Sequence, residues 1–255
     1  MERALHEERR HAQVRDVMAW IAHVGPRARP LVSVVLPTRD RRAYLARAVE
    51  SVMAQSYGEW ELLVVDDASR DDTQAFLAGL RHGRVRALRG SGSGVCAARN
   101  VALKEARGEL VAYLDDDNVM HPDWLKSVVW GFEQRPATDV LYGAVLVDDP
   151  LRANGRGSGA LPLLYFGAYD HAGLAKNNVA DIGCIAHRAG LPEARFDETL
   201  REMGDWDLLL RLTREAPPLA LPAIACFYTT DAPNRLSYGP TYEADAAAVR
   251  AKNPR

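Results

Sequence analysis

The sequence predicts an α/β protein with a mainly parallel, Rossmann-like sheet flanked by helices and a less regular C-terminal half. Two patterns predict it. From Leu31 onward, short β-rich runs alternate with helical ones, the arrangement that right-handed βαβ units produce. The first two runs, Leu31 to Leu36 and Glu61 to Val65, are nearly continuous in apolar residues, as strands covered on both faces require.

Residues 1 to 24 place Leu5, Val14, Val17, Met18 and Ile21 at helix-like intervals, and Gly25 to Pro30 breaks that pattern, so a helix and linker are expected over 1–30. This helix could pack on its own domain or on another subunit. Further strands are expected at Val85 to Leu88 and Leu110 to Leu114. Between the strands, Arg42 to Gln55 carries Leu45, Val49 and Val52 on one side, Thr73 to Leu80 is shorter, and Val95 to Ala106 is rich in alanine, all consistent with helices. A helix over Trp124 to Glu133 and a strand over Val140 to Val147 follow. Gly155 to Gly159 is a loop by composition, Val179 to Ala186 is strand-like, and Trp206 to Thr213 is helix-like with Asp205 near its start. One domain over 31–240, divided near 135, and a helical or frayed tail over 241–255 complete the expectation.

The chain has 255 residues, 47% hydrophobic, enough for a substantial core. Its 32 basic and 34 acidic residues give a formal charge of -2, so no electrostatic case exists for wrapping nucleic acid. Cys96, Cys184 and Cys226 are scattered and suggest buried thiols rather than a disulfide framework or a zinc site. The apolar runs are too short to span a bilayer, and the N-terminus lacks a signal-peptide layout. The expected location is the cytoplasm, with peripheral contact to a membrane left open.

In open α/β sheets, ligands sit beyond the carboxyl ends of the strands. Pro37 and Thr38 follow the first predicted strand, Asp66 and Asp67 the second, and Asp115, Asp116, Asp117 and Asn118 the run Leu110 to Leu114. All should converge on one crevice. Adjacent carboxylates repel unless a cation or hydrogen bonds compensate. A divalent ion completed by substrate phosphate oxygens would do so and would neutralise a diphosphate leaving group; a solvated acidic loop capping the next helix is the alternative. Asp67 is the candidate for a nucleotide-base contact, although Asp-Ala-Ser with Asp71 and Asp72 also suits a turn and an N-cap. The stretch Gly90-Ser-Gly-Ser-Gly94 lacks the lysine and spacing of a phosphate loop. Arg99 either reaches a nucleotide or its phosphates, or is a surface arginine on a helix. Among Glu202, Asp205 and Asp207, Asp205 is best placed to deprotonate an acceptor hydroxyl, with helix capping as its alternative. His187 is assigned to the core or a loop rather than to a metal.

These residues resemble the inverting, nonprocessive nucleotide-sugar glycosyltransferases of family 2, with the GT-A fold. The resemblance runs from Val32-Ser-Val-Val-Leu-Pro-Thr-Arg-Asp-Arg41, through Ser51-Val-Met-Ala-Gln-Ser-Tyr57, Leu62-Leu-Val-Val-Asp-Asp-Ala-Ser69 and Ala97-Ala-Arg-Asn100, to Gly108-Glu-Leu-Val-Ala-Tyr-Leu-Asp-Asp-Asp-Asn118. It implies a nucleotide diphosphate-sugar donor, most simply a UDP-sugar with dTDP or GDP open, and a divalent cation, Mn2+ or Mg2+. It implies that Pro37, Thr38 and Asp67 hold the nucleoside and that Arg99 lies near the donor; Arg39, beside them in sequence, is counted as a further donor-binding candidate. Asp115 to Asp117 would form the DxD-type region, with Asp117 on the metal and Asp116 near the ribose or phosphate. Met203-Gly-Asp-Trp-Asp207 resembles the segment that supplies the catalytic base, which points to Asp205. The chain departs from common versions at Arg39 and Asp40, where an aromatic residue and Asn are frequent, and it lacks the Gln-x-x-Arg-Trp signature of processive synthases. The acceptor, a glycan, lipid-linked glycan or small natural product, is not specified, and a homo-oligomer through the N-terminal helix is open. A nucleotidyltransferase and a noncatalytic sugar-nucleotide-binding protein are the rival readings; the first would bring a basic phosphate loop that Pro37 to Arg41 does not offer.

Overall fold

The computed structural model describes residues 2–147, 163–178, 180–229 and 239–253, with side chains from residue 8. In chain order the elements are α1 (Glu2–His23), β1 (Val32–Thr38), α2 (Arg42–Met53), β2 (Trp60–Asp66), α3 (Thr73–Gly79), β3 (Val85–Arg89), α4 (Val95–Glu105), β4 (Leu110–Tyr113), β5 (Val119–Met120), α5 (Trp124–Gln134), β6 (Val140–Val147), β7 (Leu163–Tyr165), α6 (His171–Leu174), β8 (Ile185–Arg188), α7 (Gly204–Leu212), β9 (Leu219–Phe227) and α8 (Tyr242–Lys252). Among the described residues the strands form one mixed sheet in the order β3-β2-β1-β4-β8-β6-β9-β5, with β7 on β6.

The first half is parallel, as expected: β1 pairs with β2 and β4, and β2 with β3. Every residue of β1 and β2 is buried, including two polar ones that the apolar runs conceal. Ser33 and Glu61 face each other in the register, and the Ser33 hydroxyl donates to Glu61 at 2.7 Å. Glu61 also accepts from the Arg107 N–H and from Arg86, which satisfies its buried charge.

The second half reverses direction. β8 pairs antiparallel with both β4 and β6, and β9 runs parallel to β6. Two expectations are corrected here. Of the predicted strand 179–186, Ile182–Cys184 is a 3-10 turn and the strand begins at Ile185, because Asp181 caps the turn by accepting the Gly183 N–H at 2.8 Å; Val179 lies outside the described residues. The expectation also omits β9, which contains Pro222, a residue that argues against a central strand. The β6–β9 register shifts between Tyr142/Ala144 and Ala144/Val145, and Pro222 falls inside that irregularity, so no regular ladder bond is lost. The predicted loop 155–159 lies outside the described residues.

Helix α1 packs on its own chain. Val14 and Ile21 are buried, and Val17 and Met18 pack against the core, with Met18 Sδ accepting the N–H of Ile224 in β9 at 3.3 Å. Full burial of such a side chain stabilises by roughly 1.5–3 kcal/mol.

Candidate functional site

Pro37 and Thr38 are the last two residues of β1 rather than the first beyond it. Thr38 ties two neighbouring strand ends together. Its carbonyl accepts the Asp67 N–H at 2.9 Å beyond β2, and its hydroxyl donates to Asp116 at 2.7 Å beyond β4. Asp67 and Asp116 therefore share one rim of the sheet, at the carboxyl ends of parallel strands.

Asp67 is buried, and the glycine-rich segment wraps it. The Gly92 and Gly94 N–H groups donate to its two carboxylate oxygens at 2.8 and 2.9 Å. These amides are thus engaged by a side chain and do not form a phosphate cradle. Gly90 passes so close that an added Cβ would lie 2.5 Å from Asp67 Oδ1. Arg39, 48% exposed, donates to the Gly92 carbonyl at 3.2 Å and lies 4.0 Å from Asp67. Neighbouring Asp66 accepts the Ser69 N–H at 2.9 Å, which makes the turn chemistry its own.

The acidic triplet is divided among partners. Asp115 takes Arg99 at 2.6 Å, and Arg99 is buried with its guanidinium over the Phe196 ring; the surface alternative for Arg99 is excluded. Its Nε is buried without a hydrogen-bond partner. Burial opposes the Arg99 charge, but Asp115, Cys96 and Asp205 overcome it and hold the pKa above its ordinary value. Asp116 and Asp117 share Arg41, whose Nη1 lies 3.1 and 2.8 Å from them. Burial pushes the Asp116 carboxyl up to about 7, against the pull of Arg41 and the Thr38 hydroxyl.

Among the acidic residues near α7, the structure separates the roles. Glu202 is committed to the approach to α8, accepting from the Gly239 and Thr241 N–H groups and the Thr241 hydroxyl. Asp207 is fully buried and bound by Arg211 and Lys252. Asp205 stands in the first turn of α7, whose N-cap is Met203, so it does not cap the helix; acidic residues there still suit the dipole. One oxygen of Asp205 accepts the Trp206 N–H at 2.7 Å, and the other accepts Asn178 Nδ2 at 3.2 Å. Burial raises its pKa against Arg99, Trp206 and Asn178, with Asp115 adding to the rise.

Sequence reasoning omitted three residues here: Arg41, Asn178 and Asp181. Asp181 interrupts an apolar stretch, the signal that could have found it. Its carboxyl is raised by burial and by Asp115 and Asp205, which places it electrostatically beside the candidate base. His187 belongs to the core, bonded to the Tyr113 hydroxyl and the Arg188 carbonyl at 2.7 Å each.

The profile described as Glycosyl transferase family 2 matches residues 33–191. The chain is 30% identical over 196 residues to the "Putative colanic acid biosynthesis glycosyl transferase WcaA" of Escherichia coli (strain K12), covering 73% of this chain and 67% of that protein. Further curated relatives are covered over 12%, 36% and 40% of their own length. Among solved structures, S. aureus TarS 1-349 in complex with UDP-GlcNAc superposes with a TM-score of 0.69 at 21% identity, over 87% of this chain and 66% of that one. Mannosyltransferase PcManGT from Pyrobaculum calidifontis, in complex with GDP-Man and Mn2+, gives a TM-score of 0.62 at 18% identity, over 99% and 74%. Both are GT-A glycosyltransferase structures, and at these identities they bear on the fold alone.

Proposed function

Because this chain belongs to glycosyl transferase family 2, we propose that it moves a sugar from a nucleotide diphosphate carrier, most simply UDP, to an acceptor hydroxyl with inversion at the anomeric carbon. The observation that carries the reading is the distribution of carboxylates. Asp67 and Asp116 meet at Thr38, while Asp205, free of the ties that bind Glu202 and Asp207, lies within the field of Arg99 and Asp115.

In this reading the Arg39 and Asp67 rim, with Pro37 and Thr38, holds the nucleoside. Arg99 fixes Asp115 and brings positive charge to the donor side. Asp205 takes the acceptor proton as the acceptor oxygen bonds to the anomeric carbon and the bond to the diphosphate breaks. Trp206 and Asn178 aim its carboxylate, and its raised pKa makes it a stronger base than an exposed aspartate. Asp116 and Asp117 present carboxylate oxygens, the donor type that Mn2+ and Mg2+ take, and such ions need only one or two carboxylates beside substrate phosphate. Asp117, with Asp116 beside it, would hold the cation, which when bound supplies charge neutralisation for the departing diphosphate. UDP is chosen on motif resemblance, since one structural neighbour carries UDP-GlcNAc and the other GDP-Man. The names of two Escherichia coli relatives, one for colanic acid biosynthesis and one a glucosyltransferase acting on a GlcNAc-diphosphoundecaprenol, favour a glycan or lipid-linked glycan as acceptor. No described helix is long and apolar enough to cross a membrane, and cytoplasmic action with peripheral membrane contact remains part of the proposal.

A thermal-shift panel of UDP, GDP, dTDP and their sugars, with and without Mn2+, tests the donor, because ligand bound to the folded state raises its apparent stability. Asp205→Asn is expected to keep the donor-induced shift while transfer falls by about 10²–10⁴-fold; undiminished turnover removes Asp205 as base. Release of pyrophosphate instead of a nucleoside diphosphate identifies a nucleotidyltransferase, and donor binding without transfer across an acceptor panel favours a noncatalytic role.

A further inference from the structure

We propose that Arg41 is an internal counter-cation that competes with a divalent ion for the Asp116–Asp117 pair and so couples cation binding to binding of the nucleoside diphosphate. The inference rests on the reading of Asp117 as metal ligand and goes beyond it to a residue that sets when the metal binds.

The geometry is that of a shared guanidinium. A single nitrogen, Arg41 Nη1, lies 3.1 Å from Asp116 Oδ1 and 2.8 Å from Asp117 Oδ2. All three side chains are withdrawn from water, at 14%, 7% and 11% exposure, so solvent screens the contact poorly. The second oxygen of Asp116 is engaged by the Thr38 hydroxyl, which fixes that carboxylate in place. Arg41 is equally fixed in its backbone: it is the N-cap residue of α2, and its carbonyl accepts the N–H groups of Tyr44 and Leu45 at 3.0 Å each.

Two neighbouring carboxylates in a poorly hydrated site need a positive partner. Arg41 supplies it at any working pH, so part of the pair's negative charge is offset before any metal arrives. A dication approaching Asp117 then meets an oxygen already engaged and a fixed positive charge beside it. Both effects weaken binding of the bare ion. The negative charge of a nucleoside diphosphate reverses the balance, since it favours the dication and offers the guanidinium another acceptor. Cation and diphosphate consequently strengthen each other's binding, and by linkage the factor is the same in both directions.

The test uses the whole 255-residue chain, titrated with Mn2+ and followed by the electron paramagnetic resonance of the free ion, with and without UDP. Arg41→Met removes the charge, Arg41→Gln removes it but keeps an N–H donor, Arg41→Lys keeps it, and Asp117→Asn removes the ligand. Circular dichroism checks each fold. The expected result is that both neutral variants bind Mn2+ alone at least about tenfold more tightly than the parent, equivalent to about 1.4 kcal/mol, and gain less from UDP, while Arg41→Lys stays near the parent. If Mn2+ binding is lost in Asp117→Asn but unchanged or weakened in folded Arg41→Met and Arg41→Gln, the role of Arg41 is overturned and the metal assignment stands. If the parent and the neutral variants bind no Mn2+ even with UDP, or if Asp117→Asn binds as the parent does, the metal assignment falls and the inference with it.

Discussion

The two hydrogen bonds on Asp205 come from different places: Trp206 belongs to the same helical turn, whereas Asn178 reaches in from another segment. Both stabilise the carboxylate over the acid and so pull its pKa down against the larger, upward effect of burial. Removing Asn178 leaves burial less opposed. In Asn178→Ala the acidic limb of the kcat profile should therefore move to higher pH, while the donor-induced thermal shift stays as in the parent. An acid limb that stays put, or moves to lower pH, contradicts the orienting role. A second prediction concerns Gly90, where an alanine Cβ would lie 2.5 Å from Asp67 Oδ1 and 3.1 Å from Asp67 Cα. One of those contacts is backbone, so rotation of a side chain cannot relieve both. Gly90→Ala should cost about 1–3 kcal/mol of stability in a urea titration and weaken donor binding, because Asp67 is displaced from the rim. Unchanged stability would mean that the segment moves aside without resistance.

At the scale of elements, β4 and β8 form the seam where the parallel half of the sheet meets the antiparallel half, and His187 holds it. Its Nδ1 faces the Arg188 carbonyl, an acceptor, so Nδ1 carries the proton and Nε2 accepts from the Tyr113 hydroxyl. Burial drives the His187 pKa down to about 4, against the Arg188 carbonyl. The folded pKa lies below the unfolded value of about 6.5, so the unfolded chain binds the extra proton and stability is lost as pH falls from about 6.5 toward 4. The loss by pH 5 should be on the order of 2 kcal/mol. His187→Gln, which does not titrate, should show a flatter dependence of its urea midpoint between pH 7 and pH 5; an equally steep one places the acid sensitivity elsewhere. This seam also marks where the sequence stops being easy to read. In the parallel half, burial on both faces leaves apolar runs, and turn residues such as Asp66 and Asp115 bound them, so elements and candidate site residues can be located together. Beyond β4 that signal weakens. β5 and β7 are short, the β6–β9 irregularity accommodates a proline inside β9, and Asp181 turns part of an apolar run into a 3-10 turn. Types and positions of candidate site residues can be read from the sequence, but the partners the structure gives them cannot. That Asp67 binds the Gly92 and Gly94 amides, or that Arg41 chooses Asp116 and Asp117, depends on tertiary approach between segments distant in sequence.

For the molecule as a whole, α1 has a structural duty that its polar composition hides. The parallel half obtains its covering helices from the βαβ crossovers, whereas among the described residues β9 is covered by α1 as well as by α5. Ile21 is fully buried and Val14 nearly so. Polar ties extend the docking: Lys126 donates to the Ala22 carbonyl at 3.0 Å, Arg10 to the Phe166 carbonyl at 3.0 Å, and the Arg27 N–H to Glu133 at 3.1 Å. If α1 belongs to the same cooperative unit as the sheet, a cavity made in it destabilises the whole protein. Ile21→Ala should then lower unfolding free energy by about 2–5 kcal/mol, with fluorescence and circular dichroism melting together, and deletion of residues 1–24 should expose the β9 surface and cause aggregation. The rim proposed to bind the donor is built from β1, β2 and β4, so the nucleotide-induced shift of folded Ile21→Ala should equal that of the parent. A change confined to an early, separate transition would instead make α1 an independently melting appendage, and the covering role would have to pass to another element.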